Sequence, residues 1–388
     1  MSRRDPAPAR ASAPVSLRVV PRGDLNASGP DAPAALGPES PPLVRRLPRR
    51  GPRFALLALA LLILFAWALT AGDYAISPGK AFEVALAKLT GASPEALSRA
   101  GVTRMDEVVV WNIRLPRLLL AGLAGMALAV AGAAYQGCFR NPLVEPYLLG
   151  VSSGAAWGAS LSIVFPHLFP QGQVTAFGFA LLAVFLSYSL ARSRGRTPPV
   201  ALILSGIIVG AIFSALVGIM KYLAADTQLR EITFWMMGGF YYATWDDVAV
   251  NAAAVLPCAL LIGLMGWKLN LLSLGDEEAR SLGVHPDRAR MLFLVLATLA
   301  AAVCVSTVGI VAWVGLMMPH AARLILGPDN RWVVPGAALL GALYMLLCDT
   351  LARTLTAAEI PVAIVASIVG APYLLWLLRS KGRELYGE

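Results

Sequence analysis

The sequence predicts an all-α integral membrane protein with ten transmembrane helices, and three observations carry that expectation. Hydrophobic residues make up 57% of the 388 and charged residues 14%, where soluble domains carry roughly 25% charged residues. Mean hydropathy is +0.67. Apolar stretches recur between charged connections, each close to the roughly twenty residues a helix needs to cross a hydrocarbon core. This balance excludes a soluble domain with a large core.

Residues 1–53 come first, as an Arg/Pro-rich tail. They hold eleven Pro, and ten Arg against the four acids Asp5, Asp24, Asp31 and Glu39. No apolar periodicity runs through them, so disorder is expected. Their charge suits a cytoplasmic tail near anionic lipid better than nucleic-acid binding. Arg3 and Arg4 stand about fifty residues ahead of the first apolar run, too far for a signal peptide.

The expected spans are 54–72, 115–136, 148–165, 174–191, 199–223, 247–266, 290–308, 309–326, 333–351 and 361–378. They fill a domain over 54–383, which leaves 384–388 as a C-terminal tail. Between Arg290 and Arg323 there is no Asp, Glu, Lys or Arg. One helix of that length would run about 48 Å against a core of about 30 Å, so a turn is placed at Gly309. An even number of spans puts both termini on one side. If that side is the cytoplasm, Lys and Arg number 23 inside and nine outside, as the positive-inside rule asks. The expected location is the inner (cytoplasmic) membrane.

Small residues fall every fourth position in two spans, at Ala121, Gly125, Ala129, Ala133 and Gly137, and at Gly206, Gly210, Ser214 and Gly218. That spacing lets helix backbones approach closely. Pro361 and Pro372 flank the core of the tenth span, where a bend is tolerated.

Catalytic signatures are missing. Gly79–Lys80 lacks the spacing and the Ser or Thr of a phosphate-binding loop. His167, His285 and His320 are scattered, and Cys138, Cys258, Cys304 and Cys348 have no metal-ligand spacing. No catalytic, cofactor or metal site is expected. Acids and bases are nearly absent from mid-span, where ion-coupled carriers usually keep some. Asp349 and Lys221 sit near span ends, where snorkelling accounts for them.

The charged block Leu269–Arg290 stands apart. Asp276, Glu277 and Glu278 would open a short helix at its positive dipole end. Asp276 and Arg280 are spaced as an i,i+4 pair, and Gly275 and Gly283 bracket the segment. Ala279 and Leu282 share one expected face, with Leu271, Leu272 and Leu274 adding apolar surface just before. Read locally, the block is either a solvated connection or a helix pair offered to a soluble partner.

Several motifs resemble one family. IRLPRLLLAGLAGMALAVAGAAYQGCFRNPLVEPYLLGVSSGAAWGA (113–159), LREITFWMMGGF (229–240), LNLLSLGDEEARSLGV (269–284), VGLMMPHAARLILG (314–327), CDTLARTL (348–355) and EIPVAIVASIVGAPYLLWLL (359–378) follow in family order. Together they resemble the FecCD-type permeases of ABC importers for iron-siderophores, haem and cobalamin, over about Phe54 to Arg383. The resemblance implies the type II ABC importer permease fold, ten spans per protomer and a second copy of the chain. It implies two ATPase subunits, which hold the ATP and Mg, and a periplasmic or lipid-anchored substrate-binding protein. It implies ATPase coupling through Leu271, Leu274, Gly275, Asp276, Glu277, Ala279, Arg280, Leu282 and Gly283. Arg114, Arg117 and Arg353 would dock the binding protein from the outer face. Asn141, Leu143, Thr197 and Pro198 resemble the family's cytoplasmic constriction. The long tail is a departure for which the family offers no role.

The expected function is import of a metal chelate, with ferric siderophore first and cobalamin or haem as alternatives. The chain itself would not be an enzyme and would bind no nucleic acid. An ion-coupled secondary transporter is the competing class, and would transport without an ATPase. A membrane enzyme or scaffold would need a catalytic constellation or lack substrate flux.

Overall fold

The computed structural model describes residues 50–386 apart from 73, 92–100, 193–196 and 357. The tail expected to be disordered lies almost wholly outside the described residues, as do Arg99, Arg194 and Arg196 of the charge count. Among the described residues the regular structure is entirely helical.

Each expected span coincides with a helix. Helix α1 covers Arg50–Thr70, and α2, Pro78–Thr90, lies outside the spans. The short α3, Arg104–Glu107, runs through a π-helical turn, Val108–Arg114, into α4, Leu115–Phe139. A 3-10 turn at Pro146–Leu149 leads into α5, Val151–Val164, followed by α6, Gly172–Ala191, and α7, Pro199–Leu223. Helices α8, Asp226–Met237, and α9, Trp245–Leu264, precede the pair α10, Gly266–Leu274, and α11, Asp276–Ser281. Last come α12, Pro286–Val308, α13, Val314–Leu326, α14, Asn330–Thr354, and α15, Val362–Tyr386.

Among the described residues seven helices are long and apolar enough to cross a membrane; Val151–Val164, Val314–Leu326 and Val362–Tyr373 are shorter apolar stretches. Stretches of twelve to fourteen helical residues reach only about 20 Å. Irregular backbone beside them supplies more length. Before α13 the chain passes through 309–313, where Val311 is buried and its carbonyl accepts from the Tyr147 hydroxyl at 2.7 Å. Non-helical backbone at membrane depth is tolerated where protein satisfies it in this way.

The expected turn at Gly309 is present. Gly309 has φ 77° and ends α12, and the chain then reverses. Arg290, near the start of α12, lies beside Thr197, whereas Ile325, near the end of α13, accepts from Arg53 at the start of α1.

Helix α4 is the axis, buried along most of its length and packed against α9, α12, α13 and α14. Its small-residue stripe permits this. A Cβ on Gly125 would lie 2.0 Å from the Gly341 carbonyl oxygen of α14, so the two backbones touch. The stripe on α7 is filled only in its first half: Gly206 meets the backbone of Leu148, while Ser214 and Gly218 are exposed.

Two expected boundaries move. Arg50 and Arg53, assigned to the tail, belong to α1 because they have partners there: Asp329 for Arg50 and the Ile325 carbonyl for Arg53 at 2.7 Å. At the other end, α15 runs to Tyr386, past the expected limit at 383.

Asp329 ties three elements together. It caps α14 by accepting from Arg331 N–H, accepts from Asn270 of α10 at 2.8 Å and pairs with Arg50 of α1 at 3.4 Å. Hydrogen bonding from Arg331 chiefly, then from Asn270, holds its carboxyl well below the usual carboxylate range. A depressed carboxyl stabilises the fold above its unfolded pKa of about 4 and loses that contribution as pH falls toward the folded value. The Tm difference between wild type and Asp329→Asn in detergent is therefore expected to stay flat from about pH 8 to 5 and shrink below about pH 4. A second test addresses the axis: Gly125→Val should lower stability by about 1–3 kcal/mol or more, the cost of overpacking, read as a lower Tm.

Candidate functional site

One end of the bundle carries the charged block. Helix α11 starts at Gly275, φ 149°, and its first turn holds Asp276, Glu277 and Glu278. Gly283, φ 84°, closes the block before α12 begins at Pro286. The bracketing glycines and the acidic turn thus fall where the sequence places them.

The pairing and the faces differ from expectation. Asp276 pairs with Arg290 at 2.7 Å and Arg280 with Asp287 at 3.5 Å, so the i,i+4 pair is replaced by links to α12. Ala279 is fully buried, whereas Leu282 is 57% and Leu274 62% exposed. Ala279 and Leu282 therefore do not share a face, because the α11 helix ends at Ser281 and the turn rotates Leu282 outward. Leu272 packs inside and Leu271 is half-buried. The outward surface is acidic, with Glu277, Glu278 and two exposed leucines.

Beside this block lie the two turns that hold the other cytoplasmic candidates. Arg140 ends α4 in the left-handed region, and the Asn141 side chain accepts from Leu143 N–H at 2.9 Å. Leu143 is exposed. Thr197 is buried, and Pro198 leads exposed into α7. Arg290 joins the two turns: its Nε donates to the Cys138 carbonyl at 3.3 Å and its Nη1 to the Thr197 carbonyl at 3.4 Å. Nothing local in the sequence marks Arg290 for this, since its partners are carbonyls far along the chain.

The opposite end is reached along α1, a helix of about 31 Å. Arg114, Arg117 and Arg353 meet there, but all three are buried, which corrects the expectation of exposed arginines. Arg114 donates to the carbonyls of Leu69 at 2.9 Å, Thr70 at 3.1 Å and Tyr74 at 2.5 Å. Arg353 donates to Ala71 O at 2.6 Å and to Ala68 O. The last turn of α1 leaves carbonyls without helical partners, and these two cations satisfy them and oppose the negative end of the helix dipole. Arg117 is held by Asp349 at 2.9 Å and by Glu359 at 2.9 Å, and its guanidinium lies over the Tyr241 ring.

Asp349, read as a snorkelling group, is 0% exposed. It faces inward onto Arg117, with Arg353 at 3.9 Å. Its pairing with Arg117 spans 232 residues of sequence, so no spacing rule could reveal it. Glu359 and Tyr241 also line an open cavity of about 1010 Å³, with Arg230, Trp235, Tyr242 and Asp247 on its wall.

With this geometry in view, comparison with known proteins is informative. Residues 60–380 match the model of the FecCD transport family. The chain is 44% identical to the hemin transport system permease protein HmuU of Yersinia pestis, over 72% of this chain and 85% of the relative. It is 39% identical to the cobalamin import system permease protein BtuC of Halobacterium salinarum, over 72% and 76%. A solved structure described as a metal-chelate type ABC transporter, in an inward-facing conformation, aligns with a TM-score of 0.74 at 33% identity. It covers 84% of this chain and 98% of the other.

The buried arginine cluster can be tested directly. Arg117→Ala leaves Asp349 without its close partner and is expected to cost about 3–5 kcal/mol, read as a lower Tm. Replacing both partners, Arg117→Met with Asp349→Leu, should recover much of that loss, since apolar pairs of similar volume are tolerated where an orphaned charge is not. Equal Tm values for the single and double variants would show that the pair does not carry the cluster.

Proposed function

The chain belongs to the FecCD transport family, and from that premise we propose that it is the membrane-spanning permease of an ATP-driven, binding-protein-dependent importer of a metal chelate. It is a multi-pass membrane component of a transporter. One observation carries the energy-coupling part of this reading: Leu274 and Leu282 stand exposed on either side of the acidic helix α11. Water-exposed leucines flanking a charged helix fit a groove on a soluble partner. ATP and Mg would reside in two ATPase subunits docked there, and a second copy of this chain would complete the pathway.

The binding protein is proposed to sit over the opposite end, where the cavity opens. Its carboxylates would meet a surface in which Arg117 already holds Asp349 and Glu359, so the three arginines would act through the shape and potential of that end. Asn141, Leu143, Thr197 and Pro198 would form the inner constriction. Ferric siderophore is the first candidate cargo, and haem and cobalamin, carried in the relatives' names, are the alternatives. Both termini would face the cytoplasm.

Burial of a leucine is worth about 1.5–3 kcal/mol, so Leu274→Asp or Leu282→Asp should weaken ATPase retention by roughly tenfold or more while insertion stays normal. Co-purification of the ATPase subunits measures this. Ala279→Arg is no probe of docking, because Ala279 packs inside. Uptake that persists without any ATPase and follows an ion gradient would instead indicate a secondary transporter. Protease added to intact spheroplasts should spare tags at both ends, and cleavage of either would overturn the orientation.

A further inference from the structure

We propose that Arg290 is a positioning residue that makes α11 and the two turns beside it, at 138–143 and 197–198, move as one body. The inference rests on the reading of α11 as the docking helix for an ATPase subunit. Each nitrogen of its guanidinium reaches a different element: Nη2 donates to Asp276 Oδ1 of α11 at 2.7 Å, Nε to Cys138 O at the end of α4, and Nη1 to Thr197 O ahead of α7. Asp287, one turn back on α12, adds a second carboxylate at 3.7 Å. The side chain is 1% exposed, so water does not compete for these contacts. A planar fork with fixed directions can hold three segments at set angles, whereas an ammonium on a flexible stem cannot.

Two features make this a mechanical link as well as packing. Of the three hydrogen-bond partners, Asp276 is the one that reaches the surface, with 29% of its side chain accessible, so a displacement of α11 is transmitted inward through it. The other two contacts are backbone carbonyls. One lies two residues before Arg140, where the chain turns through the left-handed region, and the other one residue before the proline leading into α7. A shift of the guanidinium therefore moves backbone at both turns.

Three measurements test the link. Arg290→Lys keeps the charge for Asp276 but cannot reach both carbonyls. Asp276→Asn removes the ion pair and leaves the buried arginine on its carbonyls. In vesicles with the full complex, and with hemin, cobalamin and a ferric hydroxamate chelate as probes, Arg290→Lys should retain the ATPase and hydrolyse ATP within about twofold of wild type, and both variants are assayed for uptake. Their uptake per ATP should fall about tenfold or more. Nitroxides at the exposed Leu143 and Leu282, diluted with unlabelled chain, should give one narrow distance distribution in wild type and a broadened one in both variants, with the fold intact at the assay temperature. The native cysteines are buried and leave those two positions to the label.

Wild-type distance distributions in both variants would overturn the proposal, as would wild-type uptake per ATP. Parallel loss of Tm, ATPase retention and uptake would also overturn it, by reducing Arg290 to a packing role. A wild-type chain that retains no ATPase subunit would sink the docking reading instead, and the label distances would still decide whether Arg290 holds the three segments together.

Discussion

A polar group inside this bundle has to find its partner within the protein, because hydrocarbon offers none and an unpaired group costs several kcal/mol. Much of the architecture follows from that constraint. The carbonyls that end α1 would be orphaned at the top of the bundle, and Arg114 and Arg353 are spent on them. Those cations in turn raise the local positive charge, and Asp349 and Glu359 balance it through Arg117. The irregular 309–313 stretch is possible because Tyr147 accepts from Val311 N–H and donates to its carbonyl. The polar residues here are placed where the backbone stops being self-sufficient.

The same constraint explains what the sequence shows and what it hides. The long apolar helices were legible because hydrophobic length is a one-dimensional property, and among the described residues seven of them are long enough to span. Gly309 was legible too, since an uncharged run of that size cannot be one span. Gly275, Gly283 and the acidic turn of α11 follow from local rules of helix ends. Asp349 was not legible: an acid near a span end has the same local sequence whether it snorkels to water or turns inward. Arg117, which decides the matter, lies 232 positions away in the chain. The arginines expected on an exposed face are buried, with partners far along the chain for Arg114, Arg117 and Arg353 alike, and Asp276 pairs with Arg290 on the next helix in place of Arg280.

The two polar ends of the bundle are built differently. At the arginine end the charges are deep, and Arg117 grips its carboxylates while Arg114 and Arg353 grip backbone, so this end is rigid by construction. At the α11 end one buried arginine reaches out to Asp276 and Asp287, and Leu274 and Leu282 have no cover among the described residues. A tightly held end and an arginine link beside the proposed docking helix suit a body that is pushed from one side and pivots about the other.

Transport against a gradient requires that free energy released elsewhere bias two arrangements of the pathway, and a ligand shifts that balance only by binding one arrangement better than the other. A soluble partner gripping Leu274 and Leu282 can do this only if those residues are joined to the pathway through contacts that differ between the arrangements. Helix α11 is six residues long, too short to act as a lever unaided. Its reach into the bundle runs through Asp276 to Arg290, and from Arg290 to two turns that neighbour it in space yet are separated from it by 93 and 152 positions along the chain. In the proposed coupling, one guanidinium would carry a partner's movement to buried backbone at both turns.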